Sequence, residues 1–116
     1  MTITLYGIKN CDTVKKARKW FEQQNIEYVF HDFRVDGIEQ DWVSSTAKRI
    51  PWDTLLNKRG TTYRQLDDAT KNTIDEALAI QLMAEQPTLI KRPVVLSDSV
   101  ALVGFKADQY AELFAQ

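Results

Sequence analysis

A chain of 116 residues, 44% hydrophobic and 27% charged, has the length for one domain with a real core and the composition of a globular protein. A formal net charge of −1 and a pI near 5.8 exclude the basic surface that general nucleic-acid binding needs. A single cysteine excludes an intramolecular disulfide, a single histidine leaves no metal-ligand cluster, and no apolar run is long enough for a membrane span. The expectation is a cytoplasmic protein with no metal, no bound cofactor, and no membrane or nucleic-acid partner.

Residues 3–6 alternate branched or aromatic with polar side chains and predict a first strand. Gly7 and Asn10 mark the turn that follows. Val14, Ala17 and Phe21 then fall at helical spacing among Lys15, Lys16, Arg18 and Lys19, which predicts a helix over 12–24 with Asn25 as its stop. Residues 27–32 predict a second strand with Tyr28, Phe30 and Asp32 on one face, and with His31 structural or solvated. A helix between two strands predicts a right-handed crossover and parallel pairing.

A helical block comes next. Residues 38–49 read as a helix with Ile38, Trp42 and Val43 as its apolar contacts. Ile50-Pro51-Trp52-Asp53 opens a short helix with Leu55 and Leu56 on its apolar face. Asn57-Lys58-Arg59-Gly60 ends it, with Gly60 expected as a left-handed cap. Residues 61–66 supply one or two further turns. A longer helix over 68–83 carries Ile74, Leu78 and Leu82 at every fourth position, with a break expected near Ala79 and an end at Gln86-Pro87. Strands at 94–96 and 100–103 then flank Ser97-Asp98-Ser99 as an antiparallel hairpin. Gly104 ends the second of them, and a helix from about 107 is expected to present Tyr110, Leu113 and Phe114 on one face.

Cys11 thus stands where a strand gives way to a helix. The free N–H groups and partial positive charge of a helix N-terminus favour a thiolate over a thiol. Lys9, Lys15 and Lys16 add to that field and Asp12 opposes it, so the position predicts a reactive thiol. The competing reading is that a lone cysteine is a small apolar core residue whose sulfur does no chemistry.

The order β-α-β, helical block, β-β-α, with this cysteine at the first strand-to-helix turn, is the thioredoxin-like plan. Three further stretches accompany it: Asn57-Lys58-Arg59-Gly60-Thr61-Thr62-Tyr63-Arg64, Arg92-Pro93 and Val103-Gly104-Phe105. With Tyr6-Gly7-Ile8-Lys9-Asn10-Cys11-Asp12-Thr13, these make the whole chain resemble the arsenate reductase (ArsC)/Spx family, and within it the small YffB-like branch. The resemblance implies an α/β fold in which 1–34 and 88–116 form a thioredoxin-like core of one domain, with an all-helical insertion over about 38–86. It also implies that Cys11 is the nucleophile and that Arg92 lies near it to stabilise the thiolate or an anionic ligand. Pro93 is implied to be a cis proline facing the cysteine. Asn10, Thr13 and Pro93 join Lys9 and Arg59 as the expected substrate-binding residues.

The departures from the family narrow the expected activity. Spx regulators carry a second cysteine where Val14 stands here. Arsenate reductases carry a histidine where this chain has Gly7, and an arginine where it has Asn57, with Arg59 two residues on as the candidate substitute; near Gly104-Phe105-Lys106 only Lys106 could replace their third arginine. Lysine lacks the planar two-pronged grip of arginine on an oxyanion. The expected function is a glutathione-dependent thiol-disulfide oxidoreductase, acting as a monomer on a small oxidised or disulfide substrate. Lys9, Arg59 and Arg92 are the expected cations for the glutathione carboxylates. The alternatives are an Spx-like non-catalytic binder of RNA polymerase or another protein, and a true arsenate reductase.

Overall fold

The computed structural model describes residues 2–114. Twelve elements follow one another: β1 (Thr4–Gly7), α1 (Asp12–Gln23), β2 (Val29–Asp32), α2 (Gln40–Ala47), α3 (Trp52–Leu55), α4 (Thr61–Arg64), α5 (Asp68–Thr73), α6 (Glu76–Glu85), a 3-10 turn (Pro87–Leu89), β3 (Val94–Leu96), β4 (Ala101–Val103) and α7 (Ala107–Phe114). The fold is mixed α/β with the thioredoxin-like arrangement. Its four strands form one sheet in the order β2-β1-β3-β4, with β1 and β2 parallel and the other pairs antiparallel. The chain divides into two compact units, 1–37 with 92–116, and 38–91.

The first unit is built on one cross-strand row. Phe30, Leu5, Val95 and Leu102 are successive register partners across all four strands and therefore share a face. Val14, Ala17 and Phe21 of α1 and Tyr110 and Phe114 of α7 bury themselves against that face, in one cluster with Ile3, Leu5, Val95 and Leu102. The helical periodicity of 14, 17 and 21 supplies the stripe that such packing needs. Leu113, expected on the same face of α7, is instead 44% exposed, because Tyr110 and Phe114 already occupy the stripe at i, i+4.

Gly7 is not in the turn; it is the last residue of β1, paired with Asp32. A Cβ built on it would lie 2.6 Å from Val14 Cγ2, so the first turn of α1 rests directly on the strand backbone. At its other end α1 stops as the sequence suggests. Asn25 takes a positive φ of 56°, Asn25 N–H donates to the Glu22 carbonyl at 3.2 Å, and Ile26 N–H donates to the Phe21 carbonyl at 3.0 Å. These are the paired bonds of a Schellman cap, with asparagine in the left-handed position. β2 begins at Val29, two residues later than its composition suggests, since pairing with β1 starts at Thr4.

The second unit is helical. α6 packs on α2, α3 and the 3-10 turn, with Val43, Leu55, Ala79, Met83 and Leu89 fully buried. Three expectations change here. α2 covers only Gln40–Ala47 of the predicted 38–49. The long helix breaks at Ile74–Asp75 rather than near Ala79, because Asp75 caps a new helix by accepting the Leu78 N–H at 2.9 Å. Gly60 is extended, with φ −82°, and serves as the N-cap of α4 instead of a left-handed stop; a Cβ there would lie 2.8 Å from Asn57 Nδ2.

The Gly7 contact yields a test. Gly7→Ala forces the added methyl into the γ-methyls of Val14 and should destabilise the fold by about 1–3 kcal/mol in chemical denaturation. Val14→Ala removes that clash, so the double variant should lose clearly less stability than the two single losses summed. Additive losses would mean that the two residues do not share a tight contact.

Candidate active site

The register brings one end of the sheet together. β1 runs toward Cys11 from Thr4 to Gly7, and β3 leaves that end in the opposite direction, since Tyr6 pairs with Val94. One step beyond that pair Pro93 falls opposite Gly7, and Arg92 comes just before it. The Pro93 carbonyl accepts the Gly104 N–H at 2.8 Å, which keeps β4 in register to the same edge. The Arg92–Pro93 peptide bond is cis. Pro93 is buried, while Arg92 is half-buried with its Nε inside.

Cys11 is the N-cap residue of α1, with extended backbone angles and its carbonyl accepting the Lys15 N–H at 2.9 Å. The thiol is half-buried against the core cluster and makes no side-chain cap hydrogen bond. It occupies the place where a serine or aspartate would accept the first free N–H groups of the helix. A sulfur there gains an acceptor role when it carries charge. Asp12 is the one acid in the first turn, and Lys9, Asn10, Asp12, Lys15 and Lys16 are all exposed, with Thr13 half-buried. The structure therefore groups Cys11 with Lys9, Asn10, Thr13, Arg92 and Pro93 in one unit and at one sheet end. Arg59 belongs to the second unit, where it is exposed and donates its backbone N–H to Asn57 Oδ1 at 3.2 Å.

Two features of this end go beyond the sequence reading. Asp32, the sheet neighbour of Gly7, is buried at 6% exposure. Its Oδ1 accepts the Arg34 N–H at 2.8 Å, its carbonyl accepts from Val35 and Asp36, and its own N–H donates to Asp36 Oδ2 at 3.0 Å. His31 Nε2 donates to the Gly37 carbonyl at 2.7 Å, and its ring lies 5.0 Å from that of Tyr6. The loop after β2 is thus pinned at five points, and the Asp-x-x-x-Asp-Gly spacing was its only trace in the sequence. The second feature is Tyr110, whose hydroxyl donates to the Gly104 carbonyl at 2.7 Å from a fully buried ring. Gly104 has a φ of +84°, so this bond holds the left-handed turn where β4 leaves the site.

Among the described residues no group of three or more His, Cys, Asp or Glu side chains could hold a metal ion. No helix among them is long and apolar enough to cross a membrane. A cavity of about 500 Å³ lined by Thr2, Ile3, Ile26, Glu27, Tyr28 and Val29 lies at the opposite end of β1 from Cys11.

The model of the ArsC family matches residues 6–113. The chain belongs to the ArsC family. An uncharacterized protein of Haemophilus influenzae is 51% identical to this chain over 113 residues, covering 97% of this chain and 99% of its own. A solved structure of a YffB protein superposes with a TM-score of 0.93 at 48% identity, covering 97% and 99% of the two chains. An arsenate reductase (ArsC) related protein from Brucella melitensis gives a TM-score of 0.80 at 45% identity, covering 100% and 97%. The ArsC-family fold is that of arsenate reductase-like thiol oxidoreductases.

Burial pushes the Tyr110 phenol well above the ordinary tyrosine range. The folded state therefore keeps this proton longer than the unfolded chain does. Its contribution to stability is whole below about pH 10 and is lost as pH rises beyond that value toward the folded pKa. Tyr110→Phe should remove the hydrogen bond to Gly104, costing about 1–3 kcal/mol near neutrality, and should also flatten the fall in stability above about pH 10. Denaturant titrations at a series of alkaline pH values check both effects.

Proposed function

We propose that this ArsC-family protein is a glutathione-dependent thiol-disulfide oxidoreductase with Cys11 as its only redox-active group. The observation that carries the reading is the pairing of a half-buried Cys11 at the N-cap of α1 with Val14 one turn later. The helix start supports the charge of an attacking thiolate, while a buried valine in place of a second thiol leaves the enzyme unable to resolve its own mixed disulfide. Resolution then needs an external thiol, and glutathione is the abundant one in a reducing cytoplasm.

The chemistry balances in two exchanges. The Cys11 thiolate attacks the glutathione sulfur of a substrate R–S–S–G, forming Cys11–S–S–G and expelling R–S⁻. A glutathione thiolate attacks the glutathionyl sulfur of that adduct, regenerates the Cys11 thiolate and leaves as glutathione disulfide. The proton lost by the incoming glutathione is taken up by the released thiolate. R–S–S–G is reduced by two electrons and glutathione supplies them. Arg92, half-buried at the same sheet end, and exposed Lys9 are the cations proposed to meet the carboxylates of the tripeptide. Asn10, Thr13 and the Pro93 edge are proposed to line the groove beside it.

Incubation with glutathione disulfide should add one glutathione to the native chain by intact-mass spectrometry, located on Cys11, and none to Cys11→Ser. A native chain that takes up no glutathione would sink the reading. Arsenate gives a second test. Because glycine stands at 7, asparagine at 57 and lysine at 106, glutathione-coupled arsenate reduction should be weak or absent. Turnover matching that of a three-arginine family member would show that lysine geometry suffices.

A further inference from the structure

We infer that Lys15 is a specificity-determining residue of this site, the cation that favours anionic over neutral partners of Cys11. The inference rests on the reading of Cys11 as a nucleophile served by an anionic thiol.

The first helical hydrogen bond of α1 fixes the two residues to one another. Lys15 N–H donates to the Cys11 carbonyl at 2.9 Å, so the lysine stands one turn above the thiol. One turn of helix is a rise of about 5.4 Å, within the reach of a lysine side chain. Lys15 is exposed, and it makes neither an ion pair nor a side-chain hydrogen bond among the described residues, although Asp12 lies only three positions away. Among the described residues its charge therefore has no paired acid.

The other cations of α1 are placed differently. Arg18 donates from Nε to the Tyr28 hydroxyl at 3.1 Å and stacks 4.2 Å over the Phe30 ring, so its charge is engaged in packing. Lys16 is turned about 100° further round the axis, and Lys19 lies about 12 Å along it from Cys11. Lys9 precedes the helix in the exposed turn and has no helical bond tying it to the cysteine. A lysine is a mobile point charge, suited to drawing in a carboxylate without gripping it in one geometry. Its effect on an anionic reagent should therefore exceed its effect on a neutral one, over and above any change in the sulfur that both reagents share.

Alkylation of the full-length protein by two reagents of the same reactive group separates these effects. Iodoacetate is anionic and iodoacetamide neutral, so anything that changes the thiol itself moves both rates and cancels in their ratio. Lys15→Glu should lower the iodoacetate-to-iodoacetamide rate ratio at Cys11 about fivefold at low salt. Lys15→Arg should keep the ratio of the native chain, and Lys19→Glu, the same charge change two turns from Cys11, should move it less than twofold. A ratio unchanged in Lys15→Glu, or lowered as much by Lys19→Glu, overturns the inference. The measurement contains no glutathione. A responsive ratio together with failure to form the glutathione adduct would therefore reject the proposed function and leave Lys15 standing. Absence of alkylation by either reagent would reject both.

Discussion

The contact of Val14 with Gly7 is the constraint on which the site depends. A helix can start beside the end of a strand only if nothing stands between them. Here the space for even one methyl group is already filled, with 2.6 Å separating Val14 Cγ2 from the place a Cβ would occupy. Val14 is completely buried and lies three residues past Cys11 in the first turn. Fixing Val14 on the strand backbone therefore fixes where the helix begins, and with it the position of the thiol. Positions 7 and 14 are also two of the positions at which the resemblance leads one to expect a different residue. Arsenate reductases are expected to carry a histidine at 7 and Spx regulators a cysteine at 14. Here the pair is an apolar contact, which gives the site one thiol and one face with no side chain on it.

Around that contact the end of the sheet is held by backbone bonds and by side chains that bond to the backbone. Pro93 and Gly104 share a hydrogen bond, Phe33 N–H donates to the Gly7 carbonyl at 2.8 Å, and Asp32 and Asp36 close the loop after β2 on itself. Tyr110 reaches from α7 to the Gly104 carbonyl. The buried Asp32 carboxylate and Tyr110 hydroxyl at this end thus find backbone partners, as burial demands. Among the described residues, the exposed lysines at this end make no ion pair. Lys9, Lys15 and Lys16 are solvated, whereas Arg18, further along α1, is built into the packing of Tyr28 and Phe30. Exposed charge of this kind contributes little to stability but acts on whatever anion approaches.

Much of this was legible in the residues. Alternation at 3–6, the apolar run at 94–96, the 14, 17, 21 stripe, Asn25 as a helix stop and the hairpin around Ser97-Asp98-Ser99 each follow from local rules. Those rules hold because the elements they describe bury one face against one core. The order of these elements, with Cys11 at the first strand-to-helix turn and Arg92-Pro93 before the third strand, carried the resemblance to the ArsC family. The misplaced elements are those where a side chain outside the local pattern decides. Asp75 ended one helix and began another by accepting a single N–H, and Gly60 served as the cap of the next helix, not of the last. Leu113 has the right spacing to be buried, yet Tyr110 and Phe114 fill the stripe before it.

The sequence by itself determined the element types, the lone cysteine and its place between strand and helix, because each of these is a property of residues along the chain. Tertiary structure alone decided that Gly7 is strand and not turn, that Asp32 is buried beside it, and that Lys15 keeps an uncommitted charge while Arg18 does not. These depend on distances between residues brought together by the sheet register and the packing of α1. No local pattern encodes such distances, since hydrophobic periodicity says which face is buried but not how close the backbone beneath it lies.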